Sequence, residues 1–251
     1  MTRHAELLWA LVAKEFKVRY KNTALGFLWS VANPVAFALV FYFVFVHVLR
    51  NPTPNYLVFL LAGLFPWHCT ASALSGAPTV YLGNAGLVKK VYFPRILLPM
   101  AALGNNVVHF LLVIVVAVPV LLVAGQPPSL AWLWAVPALL VVQCAVTLGL
   151  ALILSSLNVY FRDLAELTAI FVQLLFFMTP VLYSETALPE KVRAILQFNP
   201  MYWIIPPWRE LVLSGRMSGA GLGVGAAVGA AVLLLGYGVH RRMEGGLAEQ
   251  L

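Results

Sequence analysis

Residues 14–34 read KEFKVRYKNTALGFLWSVANP, and the change of character within this stretch decides the fold class. Charge ends at Lys21, and from Trp29 to Leu49 no side chain is charged. At about 1.5 Å of rise per residue, such a helical run reaches the roughly 30 Å of a hydrocarbon core. The basic part therefore lies beside a membrane and the apolar part enters it. Arg3, Lys14, Lys17, Arg19 and Lys21 all precede the span, an excess that predicts a cytoplasmic N-terminus. A secretory signal is the competing reading, but neither its cleavage pattern nor a following soluble domain is present.

The remainder of the chain repeats this pattern. Hydrophobic residues make up 62% of the 251 positions and charged residues 10%, against about a quarter charged in a soluble domain. Long apolar runs recur to the end, so the chain reads as a polytopic membrane protein. Backbone polar groups in lipid must be satisfied internally, leaving helices or a closed barrel. The runs far exceed the roughly 10-residue alternating strands of a barrel, which predicts an all-α bundle in a single transmembrane domain. The net charge of +7 is dispersed over short loops and sorted by side, so no nucleic-acid partner is expected. Cys69 and Cys144 both fall within apolar runs, and neither a disulfide nor a metal framework can be read from them.

In chain order, residues 5–22 read as a helix along the membrane surface. Lys14, Lys17 and Lys21 share one face with Arg3, Leu7, Leu11 and Val18 lie beside them, and Val12 and Phe16 fall further round. Glu15 and Arg19 are i,i+4 partners able to pair. Either the helix meets an anionic lipid or substrate head, or it is a plain positive-inside anchor. Six spans follow, at about 29–49, 56–77, 99–124, 131–156, 167–183 and 219–239. Gly63 and Pro66 predict a kink in the second, and His68 beyond them reads better as an interior histidine than as a functional one. Residues 78–98 form the main internal loop, with Lys89, Lys90, Arg95 and no acid. The segment from Ser184 to Met217 holds Pro189, Pro200, Pro206 and Pro207 around apolar pieces too short to span, which predicts interfacial or re-entrant helices. Gly219, Gly221, Gly223, Gly225 and Gly229 permit close packing of the last span. Of the 16 Lys and Arg, 11 fall on the inner side and 5 on the outer, consistent with both termini in the cytoplasm.

The chain has no GxxxxGK[ST] phosphate loop, HExxH, GxSxG or intramembrane carboxylate pair. It therefore carries no recognisable ATP site, enzyme centre or proton relay. A passage that draws its energy from elsewhere fits better, with a passive channel as the plainer competitor.

Several ordered motifs carry a likeness: ALGFLWSVANP (24–34), AGLFPW (62–67), NAGLVKKVYFPRILLP (84–99), NVYFRDL (158–164), TPVLYS (179–184) and FNPMYWI (198–204). Together they resemble the membrane subunit of a type 2 ABC exporter of polysaccharide, in the group of O-antigen and teichoic-acid export permeases. The resemblance implies the ABC-2 (type V exporter) arrangement of six membrane helices, a homodimer in a bacterial inner membrane, and a separate cytoplasmic ATPase in two copies. ATP and Mg would be bound by that partner, and no cofactor by this chain. The implied cargo is a glycan on a polyprenyl diphosphate lipid. Carried over by motif, residues 84–95 become the coupling segment, with Gly86, Val88, Lys89, Lys90, Tyr92, Phe93 and Arg95 meeting the ATPase. Residues 185–213 become external gate helices, with Leu188, Phe198, Tyr202, Trp203 and Trp208, the two tryptophans suited to an interfacial depth. Lys14, Lys17, Arg19 and Lys21 are the candidates for the diphosphate head. Phe37, Tyr42, Phe45, Gln173, Phe176 and Phe177 are candidates for lining the passage, where aromatic faces stack on sugars, or else they face lipid and neighbouring helices. Two other functions stay open: an ABC-2 permease for a drug or small lipid, and a non-transport membrane scaffold.

Overall fold

The computed structural model describes residues 3–20, 26, 28–50 and 53–251, leaving aside the side chains of Arg3, Arg19, Tyr20, Ser30, Ala248 and Glu249. All regular structure among the described residues is helical. α1 is Arg3–Tyr20 and α2 is Leu28–Tyr42, extended by a π-helical turn, Phe43–Val48. α3 is Tyr56–Gly76, prolonged by a 3₁₀ turn, Ala77–Thr79, into α4, Val80–Gly83. Then come α5 (Ala85–Lys90), α6 (Leu97–Val123), α7 (Trp132–Tyr160) and α8 (Leu164–Met178). α9 (Glu190–Leu196) and α10 (Ile205–Ser214) precede α11 (Gly219–Met243) and the short α12 (Leu247–Gln250).

Five helices among the described residues are long and apolar enough to cross a membrane: Val31–Val48, Tyr56–Gly83, Leu97–Val123, Trp132–Tyr160 and Gly219–Gly246. The expected fifth span is shorter. α8 has 15 residues, roughly 22 Å of helix against roughly 30 Å of hydrocarbon. The expected internal loop at 78–98 is also shorter than its prolines and glycines suggested. Pro78 sits in the first turn of the 3₁₀ segment, where its missing N–H costs least, so the helix runs on to Gly83. Gly63 and Pro66 leave α3 unbroken from Tyr56 to Gly76.

Two cores organise the bundle. The larger joins α3, α7 and α10 through residues such as Leu60, Leu64, Leu139, Val146, Ile205 and Leu211. The smaller gathers Leu11, Val12, Tyr81, Val88, Phe93 and Leu247. Both terminal helices and the 84–95 segment therefore meet at one end, called here the terminal end. α1 lies along α6, with Leu11 and Val12 buried and Phe16 stacked on His109 at 5.3 Å between ring centres. Its inward face thus centres on Val12 and Phe16, while Val18 is exposed.

α7 and α11 form the tightest seam. Gly236 rests against the backbone of Gly149, and Gly149 against the backbone of Val232, so neither position has space for a Cβ. A Cβ at Gly229 would come within 3.3 Å of the Val142 carbonyl oxygen. Of the expected glycine stripe, Gly229 serves this packing and Gly225 makes room chiefly for the Trp203 carbonyl, whereas Gly219 and Gly223 face open space. Gly236 lay outside that expectation. Small residues let backbones approach in lipid, where burial of apolar surface brings no gain.

Candidate functional site

Along one side of the bundle, α2, α3 and α8 enclose an open groove of about 240 Å³. Phe37, Trp67, His68, Gln173 and Phe176 line it. Three residues expected to line a passage, Phe37, Gln173 and Phe176, are thus brought together. Phe37 stands 6.0 Å from the His68 ring, and Phe176 lies between Phe41 at 6.0 Å and Trp67 at 5.5 Å. Phe177 is exposed beside Phe176. Tyr42 and Phe45 belong elsewhere: Tyr42 lines a separate cavity with Thr53 and Tyr56, and Phe45 stacks on Tyr56 at 5.5 Å. Gln173 places an exposed carboxamide on this otherwise apolar face.

The segment after α8 folds over the opposite end. Asn199 accepts from the Met201 amide at 2.9 Å and donates to Thr179 Oγ1 at 2.9 Å and to the Met178 carbonyl at 3.2 Å. That side chain ties the end of α8 to the turn before α10. Pro206 and Pro207 occupy the first turn of α10, a position suited to proline. Gly215 then ends α10 with φ +64°, a left-handed geometry natural for glycine, and its carbonyl accepts from Ser129 Oγ at 2.6 Å. Phe198 projects outward at 91% exposure, whereas Tyr202 and Trp208 are buried. Trp203 is partly buried and donates its ring N–H to the Gln197 carbonyl at 3.0 Å. Leu188 is partly buried. Trp208 is therefore not an interfacial anchor. Its indole lies 5.2 Å from the Phe110 ring and donates to Gln143 Oε1 at 2.9 Å.

Arg209 is the residue that sequence reasoning missed at this end. It is buried and donates to the carbonyls of Pro180 at 2.6 Å, Val181 at 2.9 Å and Tyr183 at 3.4 Å. The guanidinium sits 3.7 Å over the Phe59 ring and 3.8 Å from a Glu185 carboxylate oxygen. Burial pulls its pKa down to about 10, opposed by Glu185, so the group stays charged at neutral pH. A Cβ at Gly63 would come 3.1 Å from Arg209 Nη2. The glycine expected to bend α3 instead makes room for this cation.

At the terminal end, the expected coupling residues divide into two sets. Val88 and Phe93 are buried in the smaller core. Gly86, Lys89, Lys90 and Tyr92 face outward, Tyr92 completely so. Arg95 turns back to donate to the Glu244 carbonyl, fastening the segment to the turn after α11. Lys14 Nζ donates to Asn84 Oδ1 at 2.7 Å and lies 3.5 Å from Glu15. Lys14 is thereby bound to the start of α5 and is not a free cation, and Glu15 pairs with it. Lys17 is exposed. The side chain of Arg19, and Lys21, lie outside the described residues.

The profile of the ABC-2 type transporter family matches residues 6–212. The chain belongs to that family. It is 38% identical over 246 residues to the O-antigen export system permease protein RfbA of Klebsiella pneumoniae, covering 98% of this chain and 95% of that protein. An RfbA of Myxococcus xanthus is 34% identical over 219 residues, covering 85% and 83%. The polysialic acid transport protein KpsM of Escherichia coli is 25% identical over 251 residues, covering 94% and 92%. In this ABC-2 protein the buried polar residues Gln143, Arg209 and His240 had no motif to announce them. His240, near the end of α11, is met by Tyr81 at 3.3 Å and Ser156 at 3.1 Å. For Arg209 the available signal was a cation within an apolar piece, four residues before the end of a segment already judged too short to span.

Proposed function

We propose that this chain is the membrane permease subunit of an ATP-driven exporter, carrying a lipid-linked polysaccharide out of the cytoplasm. The observation that carries this reading is similarity over nearly the whole chain to O-antigen export permeases. The geometry supports it. An aromatic and amide groove on α2, α3 and α8 is left open in the single chain, and a second copy would close it into a passage. Sugar rings stack on such aromatic faces, and the amide supplies hydrogen bonds without a charge.

The terminal end takes the cytoplasmic side, since 10 of the 15 Lys and Arg among the described residues belong to segments there. Tyr92, Lys89 and Lys90 then form the surface offered to a nucleotide-hydrolysing subunit, two copies of which would serve a dimer. Val88 and Phe93 support that surface from within. α9 and α10, which follow α8, would act as a re-entrant plug at the outer mouth. Lys17 is the exposed candidate for the diphosphate head of the cargo.

The test is reconstitution with the partner ATPase in liposomes holding a polyprenyl-diphosphate glycan. ATP-dependent appearance of glycan on the opposite leaflet is expected. ATP-driven movement of a drug or small lipid, with the glycan left in place, would transfer the protein to the other ABC-2 class. A purified complex that contains no ATPase would point to a scaffold.

A further inference from the structure

One buried polar cluster is required neither by helix formation nor by membrane crossing. Gln143, 2% exposed, lies eleven residues into α7. Its amide nitrogen donates to the Pro66 carbonyl at 2.8 Å and to Thr70 Oγ1 at 3.2 Å, both on α3. Its amide oxygen accepts from Trp208 Nε1 on α10 at 2.9 Å. Thr70 Oγ1 in turn lies 3.3 Å from Thr147 Oγ1. A carboxamide is costly to bury unless paired, and a leucine would fill similar space. Here each end of the amide is committed to a different helix, so the side chain works as a clamp between α10 and α3.

The two helices it joins lead to opposite ends of the molecule. α10 belongs to the segment over the far end. α3 runs on through α4 to Asn84, which accepts from Lys14 and stands at the start of α5. We propose that Gln143 is a positioning residue for coupled transport: it locks the plug helix to α3, so that a displacement of the coupling segment is delivered to the outer mouth. This rests on reading the chain as an ATP-driven permease with a plug at α9 and α10.

The clamp is separable from the attachment of the plug itself. Arg209 holds the carbonyls of Pro180 and Val181, and the Tyr56 hydroxyl donates to the Leu182 carbonyl at 2.7 Å. These bonds fasten the plug near the start of α3. Losing the Gln143 bonds leaves that fastening in place and frees α10 at its deepest point, where Trp208 meets α7. Packed elements shift between discrete arrangements rather than deforming smoothly. Without the directional bonds at that point, the Trp208 side of α10 can lag behind α3 even though the Arg209 fastening holds.

The experiment uses the full permease with its partner ATPase, in a background with Cys69 and Cys144 replaced by alanine. Gln143→Leu, Trp208→Phe and the double variant are compared for glycan moved per ATP hydrolysed. Each single variant is expected to lower that ratio about tenfold while hydrolysis stays within about twofold, and the double variant should be no worse than either. Trp208→Phe keeps an aromatic ring, so it carries the test if the leucine variant fails to assemble. An unchanged ratio overturns the proposal, as does multiplication of the two effects, or a parallel fall in export, hydrolysis and thermal stability. A second readout separates the clamp from the cargo. A cysteine at Phe198 should change its thiol-labelling rate on ATP addition in the parent and lose that response with Gln143→Leu. If ATP is hydrolysed but no glycan moves, the cargo reading fails and labelling alone decides the clamp. Absence of an ATP response in the parent overturns it.

Discussion

α2 and α3 are neighbours of similar apolar character, yet of an 18-residue apolar stretch only 11% is buried in the first span against 67% in the second. α3 is enclosed by α2, α6, α7, α8 and α10, and it carries the Gln143 and Arg209 contacts. α2 and α8 present Phe37, Val40, Phe43, Ile170, Leu174 and Phe177 outward. Hydropathy does not separate these two halves, because the bilayer accepts both. They are separated by close backbone contact and polar bonds, which hold helices together when the surroundings are already apolar. The enclosed half is therefore a scaffold, and the open half is the part left to meet a second copy, cargo or lipid.

The comparison breaks most completely at the α7–α11 seam. Gly236→Val places a branched side chain against the Gly149 backbone, where no side chain can turn aside. The cost should be at or above the roughly 1–3 kcal/mol typical of overpacking, seen as lost yield and a lower melting temperature in detergent. A normal melting temperature would mean the seam is not close-packed. Arg209→Met comes next. It leaves three carbonyls without a charged donor and Glu185 without its cation, for about 2–3 kcal/mol of lost stability, with increased proteolysis of residues 180–200. Intact resistance to protease would show that the plug is held by packing alone.

Matched aromatic truncations sharpen the contrast between the halves. Trp67→Ala, in the enclosed half at 4% exposure, should cost about 3 kcal/mol. Phe37→Ala, at 51% exposure, should cost under about 1 kcal/mol and yet reduce glycan export. Equal destabilisation by the two would erase the distinction. The smallest effect on stability belongs to Tyr92→Ser, within about 0.5 kcal/mol, because that ring is fully exposed among the described residues. The same change should weaken binding of the ATPase subunit, measured by co-purification. Phe93→Ser, one residue on, should instead destabilise the permease itself. Thiol labelling supplies the sidedness: a cysteine at Thr53 should react from outside and one at Gly86 from inside.

Much of the site was visible in order along the chain but not in space. Phe37, Gln173 and Phe176 were named as lining residues and do share one groove, whereas Tyr42 and Phe45, on the same helix as Phe37, face a different cavity. The coupling segment was found by its glycines, lysines and aromatics, but the alternation that buries Val88 and Phe93 and exposes Tyr92 depends on how Val91 leaves α5 in an extended conformation. Trp203 and Trp208 looked alike as interfacial tryptophans. Only Trp208 finds a buried acceptor, and that acceptor is 65 residues away in the chain.

By itself, the sequence determined the helical class, the position of each long apolar run, and the sorting of basic residues to one end. These are local properties, set by 1.5 Å of rise per residue and by the cost of charge in lipid. Tertiary structure alone decided which helix is enclosed, which glycines touch, and which polar side chains are paired. In a bilayer every apolar face is equally tolerated, so the inward face of a helix is chosen by its partners. Those partners, Gly149 for Gly236, Gln143 for Trp208 and Val181 for Arg209, are tens of residues distant along the chain, beyond the reach of any local pattern.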